Sequence, residues 1–436
     1  MLSALIIGGK ALTTASRFRS YAQGVRMLSR NARLYLVATT LQGLGFGIWG
    51  VLFYLYLNLP EVGFEMNFIS NVFTAGAIAT GLVALPAGLL CERIGPKRAL
   101  LIGLSANLIN VVQILVLQPP ALLVASLASG LIGTVSWVAS APFMVENSKP
   151  EERTYLFSID WTLMIIMGVI GSYMGGVLPD IFNNYLGLPV GIDGSAAGYR
   201  IALAISLALI LAAAFPIFLV KEKQKAQRQR VMDLLSLRNI RSPRTIVKFM
   251  IPTAIIGFGA GFIVPLFNVF FKKRFLATPD QIGLMSALSN ITLGVGTLAA
   301  PALSRRLSKA KSVALCEYLS MPFIMLTTLS PNLTMAATAY VARNSLMNMA
   351  GPIGTTLQME LVTENERATT NGLMVMSDNV PRAVTASISG AMMTGNDFVT
   401  PFLFTTVTYF VASSIYFYFF RNAEAQAAKS RAENAA

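Results

Sequence analysis

The chain has 436 residues, of which 54% are hydrophobic and 12% charged, with a mean hydropathy of +0.61 and a net charge of +14. Soluble chains carry about 25% charged residues, so this composition excludes an ordinary soluble domain and points to an integral membrane protein. The positive balance then reads as loops facing anionic lipid, not as a nucleic-acid surface.

Residues 1–33 read as a basic tail, with Lys10, Arg17, Arg19, Arg26, Arg30 and Arg33 and no acid. The Ser/Arg-rich opening looks like a transit peptide. A cleaved secretory signal is disfavoured because the basic residues follow the short apolar run, and the tail is read as cytoplasmic. Twelve apolar runs follow, each long enough to cross a bilayer. They fall at about 34–57, 69–91, 99–117, 120–142, 158–179 and 200–220, then 247–271, 281–303, 312–329, 333–357, 370–393 and 399–420. The chain thus divides into a six-helix bundle over 34–220, a basic loop over 221–246, a second bundle over 247–420 and a tail over 421–436.

Basic residues recur on one side of this twelve-helix scheme: Arg93, Lys97 and Arg98 after helix 2, a run in the central loop, and Arg305, Arg306, Lys309 and Lys311 after helix 8. Both termini are therefore expected in the cytoplasm. The opposite loops carry Glu61, Glu65, Asp180, Asp193 and Asp397. Lys272, Lys273 and Arg274 break the rule and are expected to snorkel to the outer interface.

There is no histidine, which removes the commonest proton shuttle and metal ligand. Cys91 and Cys316 stand 225 residues apart with no ligand-type spacing, so no metal, disulfide framework or cofactor is expected. No nucleophile motif suggests an enzyme, and no catalytic residue is assigned.

The chain repeats itself. GLGFGIWGVLFYLYL from Gly43 aligns with GFGAGFIVPLFNVFF from Gly257, so that Gly43, Gly45 and Gly47 match Gly257, Gly259 and Gly261 at a spacing of 214. Glu146, Glu152 and Arg153 match Glu360, Glu366 and Arg367 at the same spacing. A decayed copy of the loop after helix 2 begins at Pro301, with Arg305 in place of Glu92. The bundles are parallel six-helix repeats, the plan of a transporter with its site between two halves.

GLLCERIGPKR, residues 88–98, resembles the loop between helices 2 and 3 of the major facilitator superfamily, with Gly88, Glu92, Arg93, Gly95, Lys97 and Arg98 at the signature positions. The resemblance is of bacterial type and spans nearly the whole chain. It implies an all-α integral membrane fold of twelve transmembrane helices as two six-helix pseudo-repeats. It also implies a conformational latch of Glu92 and Arg93 supported by Arg98. Glu146 and Glu360 are candidate acidic partners for the two basic loops. Gly88 is expected to bring helix 2 close to a neighbour, and Gly95 with Pro96 to make the turn.

The resemblance also places helices 1, 4, 7 and 10 around a central cavity, with 3, 6, 9 and 12 peripheral. A charge inside the membrane marks a functional candidate. Arg343, beside Asn344 in helix 10, is the first; Asp378 and Arg382, four apart in helix 11, can pair on one face. Arg343, Arg382, Asn344, Gln42 and Trp137 are the candidate substrate-binding residues, and Asp378 the candidate proton site. Glu317 in helix 9 is expected to partner the basic loop nearby. Gly168, Gly171, Gly175 and Gly176 in helix 5 resemble the glycine pattern of proton-coupled drug exporters, with Ser172 where these have proline. The exporters' helix-4 arginine is absent, and Ser126 stands near its place.

The leading reading is a secondary transporter working by alternating access in the cell membrane, leaning to proton-coupled efflux of an amphipathic compound. The alternative is a uniporter or symporter of an organic anion clamped by Arg343 and Arg382. A non-transporting receptor on the same fold is more remote. The expected partners are a small solute, a proton and the bilayer, with no nucleic acid, and the chain is expected to be a monomer.

Overall fold

The computed structural model describes residues 28–148, 150–191, 194–221, 242–363 and 366–422. Most of both tails and of the central loop lies outside these residues. The described residues form twelve long helices: α1 (Arg30–Leu57), α2 (Met66–Ile94), α3 (Pro96–Leu115), α4 (Pro119–Glu146), α5 (Pro150–Tyr185), α6 (Ala196–Phe218), α7 (Pro243–Phe275), α8 (Pro279–Arg306), α9 (Lys309–Leu329), α10 (Leu333–Leu361), α11 (Arg367–Thr394) and α12 (Thr400–Phe420). Among the described residues, nine helices are long and apolar enough to cross a membrane. In α10 and α11 the apolar run is interrupted by Arg343, Asn344 and Asn348, and by Asp378, Asn379 and Arg382.

Local chemistry sets the helix starts. Proline opens α3, α4, α7, α8 and α12, where its missing N–H would be unpaired anyway. Side chains of Ser29, Ser195, Ser308 and Asn332 cap α1, α6, α9 and α10 by accepting backbone N–H bonds. Gly95 joins α2 to α3 at φ +89°, a conformation that disfavours any side chain.

Each half packs by the same rule. In the first, α1 lies against α5 and α6, α2 against α4, α3 against α4 and α6. In the second, α7 lies against α11 and α12, α8 against α10, α9 against α10 and α12. The repeated glycines explain the equivalence. A Cβ on Gly43 would meet Met167 of α5 at 2.8 Å, on Gly45 Ile210 of α6 at 2.4 Å, and on Gly47 the Gly168 carbonyl of α5 at 2.7 Å. On Gly257 it would meet the Asp378 carbonyl of α11 at 2.3 Å, on Gly259 Thr408 of α12, and on Gly261 the backbone of Arg382 in α11. Ser206 of α6 donates to the Gly45 carbonyl, and Thr405 of α12 donates to the Gly259 carbonyl, each at 2.8 Å. Side-chain-free backbones let the helices come this close.

The repeats differ in their first helices. α1 is continuous, whereas α7 stops at Gly261, makes a single 3-10 turn over Val264–Leu266 and resumes at Phe267. Pro265 lacks an N–H, and its ring clashes with the carbonyl four residues back, that of Gly261. Val51 occupies the matching position in α1.

The halves meet along α2 with α11 and α5 with α8, pairs that the repeat exchanges. The termini end of the bundle carries Leu28 and the Gly95 turn, and the distal end carries the α1–α2 and α7–α8 connections. Cross-half bonds gather toward the distal end. Asn67 N donates to Thr394 Oγ1 at 3.0 Å, and Thr74 Oγ1 to the Ala383 carbonyl at 2.7 Å. Asn268 Nδ2 donates to the Gly50 and Val51 carbonyls at 2.9 and 3.2 Å. Lys272 Nζ donates to the Asn58 carbonyl at 3.2 Å.

The Lys272 bond corrects a sequence expectation. Lys272 is buried, 7% exposed, and its ammonium meets the Asn58 carbonyl at the C-terminal cap of α1, inside the protein, where a cation is favoured. Lys273 and Arg274 beside it are exposed. Glu317 is also placed differently. It is 4% exposed and accepts from Ser413 Oγ of α12 at 2.6 Å, because its face of α9 turns into the bundle instead of toward the loop. Both cysteines are buried.

Candidate functional site

A cavity of about 460 Å³ lies between the halves, within the range of roughly 300–1,000 Å³ typical of small-molecule sites. Its first-half wall comes from α1, α2 and α5. There Gly43, Gly47, Gly50 and Gly168 leave bare backbone, and Phe46, Tyr54 and Phe73 supply rings. The second-half wall comes from α7, α8 and α10 and is more polar: Asn268, Ser286, Asn290, Tyr340, Arg343 and Asn344. The break in α7 brings Val264, Pro265, Phe267 and Asn268 to the lining.

Arg343 is the one charged residue among those lining the cavity. It is 4% exposed. Nη2 donates to Tyr409 Oη at 2.8 Å, and the guanidinium carbon stands 5.7 Å from the centroids of both the Phe267 and Tyr409 rings. Ring faces attract a cation but do not neutralise it. Among the described residues, no carboxylate lines the cavity, and Nε is buried without a hydrogen-bond partner. The site therefore presents a desolvated positive group with donor capacity to spare, at a place where a bidentate acceptor is favoured.

The other candidates are placed as follows. Asn344 lines the cavity, with Oδ1 accepting from Asn348 Nδ2 at 3.0 Å. Asp378 and Arg382 form a bidentate pair in which Nη2 reaches both carboxylate oxygens at 2.7 Å, and neither residue lines the cavity. Their charges cancel locally, so they do not join Arg343 in one basic pocket. Gln42 is half-buried on α1 and outside the lining, and Trp137 on α4 is 72% exposed and also outside it.

At the termini end, Arg93 and Arg98 are exposed, as is Glu146. The Glu92 side chain lies outside the described part, as do those of Glu152, Arg153, Arg305 and Arg367. Glu360 pairs with Lys309 at 2.7 Å, a bridge within the second half. Lys97, at the start of α3, donates to the Phe218 and Val220 carbonyls at 3.0 and 2.7 Å, closing the end of α6. Gly88 does not make the close approach expected of it, since a Cβ there would meet only Val138 at 3.9 Å. α2 and α4 approach instead at Gly76 and Gly130, where a Cβ on Gly130 would stand 2.5 Å from the Gly76 carbonyl.

The α5 glycines serve different neighbours. A Cβ on Gly171 would stand 2.3 Å from the Leu44 carbonyl, and on Gly175 3.0 Å from Ile48 Cα, both in α1. On Gly176 it would meet the Pro279 carbonyl at 2.7 Å and Gly283 Cα at 3.0 Å, across the half boundary. Gly168 has open space toward the cavity, its nearest neighbour being Asn290 Nδ2 at 4.0 Å.

Gly50, Phe46, Phe73, Asn268, Asn290 and Tyr340 were not singled out from the sequence. Asn268 had a signal, for the 214-residue spacing sets it opposite Tyr54, and both line the cavity.

A family model described as Major Facilitator Superfamily matches residues 35–270 and 249–436. No curated protein sequence matches the chain. Among solved structures, a bacterial homologue of the human lysosomal transporter Spinster, inward-facing and occupied, superposes with a TM-score of 0.71 at 14% identity, covering 95% of this chain and 98% of that one. The nucleoside transporter NupG superposes with a TM-score of 0.69 at 15% identity, covering 89% and 99%. A bacterial homologue of the iron transporter ferroportin, in an inward-facing state, gives 0.68 at 14% identity, covering 89% and 98%. At these identities the likeness concerns the fold alone. Two matched repeats of six helices, with one cavity between them, place the chain in the major facilitator superfamily.

Proposed function

We propose that the protein transports a small organic anion, which binds between the halves with its negative group on Arg343. The observation that carries this reading is the buried, uncompensated guanidinium in the cavity wall. An anion arriving there gains a strong charge-assisted bond in a low-dielectric site. Arg382 is not part of the clamp, because it lies outside the cavity lining and its Nη2 is paired with Asp378. Transport proceeds by alternating access. Cross-half bonds toward the distal end, from Asn67, Thr74, Asn268 and Lys272, support a state closed there. With the termini in the cytoplasm of a cell membrane, as the loop charges favour, that state faces inward.

The aromatic first-half wall favours a second reading, proton-coupled efflux of an amphipathic compound. It asks for a proton-binding carboxylate at the cavity, and Asp378 stands outside the lining in a pair with Arg382.

Thermal stabilisation of the purified protein separates the two. Aliphatic and aromatic carboxylates, phosphate esters and cationic amphiphiles are compared on the native chain, Arg343→Lys and Arg343→Ala. The anion reading expects stabilisation by an anionic class, weakened in Arg343→Lys and lost in Arg343→Ala. Stabilisation by cationic amphiphiles that survives in Arg343→Ala would overturn it.

A further inference from the structure

Resting on the anion reading of this cavity, we infer that the solute is a flat aromatic carboxylate, held as a plate between a bare-backbone shelf and a polar clamp. The cavity walls are unlike. One carries four glycines: Gly43, Gly47 and Gly50 line it from α1, the first two pressed against α5, and Gly168 lines it from α5. Two of these have room in front of them. Among the described residues, a Cβ on Gly50 would meet nothing within 4 Å, and one on Gly168 only Asn290 Nδ2, at 4.0 Å. Helix packing therefore does not require glycine at Gly50, and the empty space belongs to the cavity.

A surface without side chains is flat, and a flat group covers it with more contact than a puckered one. Aromatic rings edge the shelf: Phe46 lines it from α1, and Tyr54 meets Phe73 edge-on at 6.3 Å between centroids. Rings favour edge-to-face or offset contact with another ring. Across the cavity, Arg343 offers its fork to a carboxylate, with Asn290 and Asn344 as further hydrogen-bonding groups in the same lining. A carboxylate in the plane of a ring sets the charge at one edge of the plate and the apolar face against the glycines. A puckered ring of the same charge cannot lie flat there.

The test uses matched acids on the unaltered full chain in detergent, so it does not depend on a variant folding. Dissociation constants are measured by calorimetry for benzoate, 2-naphthoate, cyclohexanecarboxylate and benzylamine. The inference expects benzoate and 2-naphthoate to bind at least tenfold more tightly than cyclohexanecarboxylate, and benzylamine not to bind. A second arm repeats the series on Gly50→Leu, whose Cβ would meet no described neighbour within 4 Å and whose side chain projects from the shelf, and expects the preference for the flat acids to collapse.

Equal affinity for benzoate and cyclohexanecarboxylate would overturn the inference while leaving the anion reading intact. Tighter binding of benzylamine would overturn both. Absence of binding by either aromatic acid would also overturn the inference, and the anion reading would then stand or fall on the phosphate esters and aliphatic acids. An unchanged preference in Gly50→Leu would remove the shelf from the account and overturn the inference in its stated form.

Discussion

Arg343 pays for its burial with partial contacts: one hydroxyl, two ring faces and a buried Nε with no partner. Taking a charge out of water costs several kcal/mol, and ring contacts return about 0.5–2 kcal/mol each. On the proposed anion reading, an arriving carboxylate relieves this deficit. Arg343→Lys keeps the charge and loses the fork, so anion affinity is expected to fall about tenfold, corresponding to about 1.4 kcal/mol, as read by calorimetry. Retained affinity would show that the fork is not used. Arg343 and Asn344 were legible in the sequence, because a charge inside an otherwise uncharged run has few bland explanations. Asn290, Tyr340 and Gly50 were not. A polar or aromatic residue on a membrane helix faces cavity, neighbour or lipid according to the helix's rotation, which a single sequence leaves open. Asp378 and Arg382 show the limit from the other side: their four-residue spacing announced a pair, but not that the pair would sit outside the cavity.

Among the helices, α5 does two jobs within two turns. Gly171 seats it on α1 inside one half, and Gly176 seats it on α8 of the other. Substituting each therefore has a different expected consequence. Gly171→Val forces a side chain into the Leu44 carbonyl and should destabilise the first bundle by about 1–3 kcal/mol, seen as a lower melting temperature without ligand. Gly176→Val acts where the halves touch, so it should open the distal end while each bundle stays folded. Spin labels placed on the distal ends of α2 and α11 would report a longer distance; an unchanged distance would refute this role. Lys272→Met, which removes the bond to the Asn58 carbonyl, should lengthen the same distance by a smaller amount. The glycine triplets were legible as a repeat because backbone contact leaves no alternative residue. Gly88 misled for a physical reason: glycine is also tolerated where nothing presses on it, and the close α2–α4 contact falls at Gly76 and Gly130 instead.

For the whole molecule, the architecture was the most legible level. Twelve apolar runs, a 214-residue spacing and basic loops on alternate connections specify two parallel six-helix bundles, and the helix pairings follow the repeat in both halves. What the repeat did not announce is the asymmetry that makes the site. Pro265 breaks α7 where Val51 leaves α1 whole, and the charge lies in α10 with no counterpart lining the cavity from α4. The first half thus supplies a smooth wall and the second a polar, charged one. The proposed transport depends on solute binding through Arg343. Its most direct measurement is uptake of radiolabelled benzoate into liposomes holding the purified protein, compared between the native chain and Arg343→Ala, with the variant's fold checked by its helical circular dichroism. The account predicts saturable uptake by the native chain, reduced at least tenfold in the folded variant. Equal uptake by both proteins would contradict it.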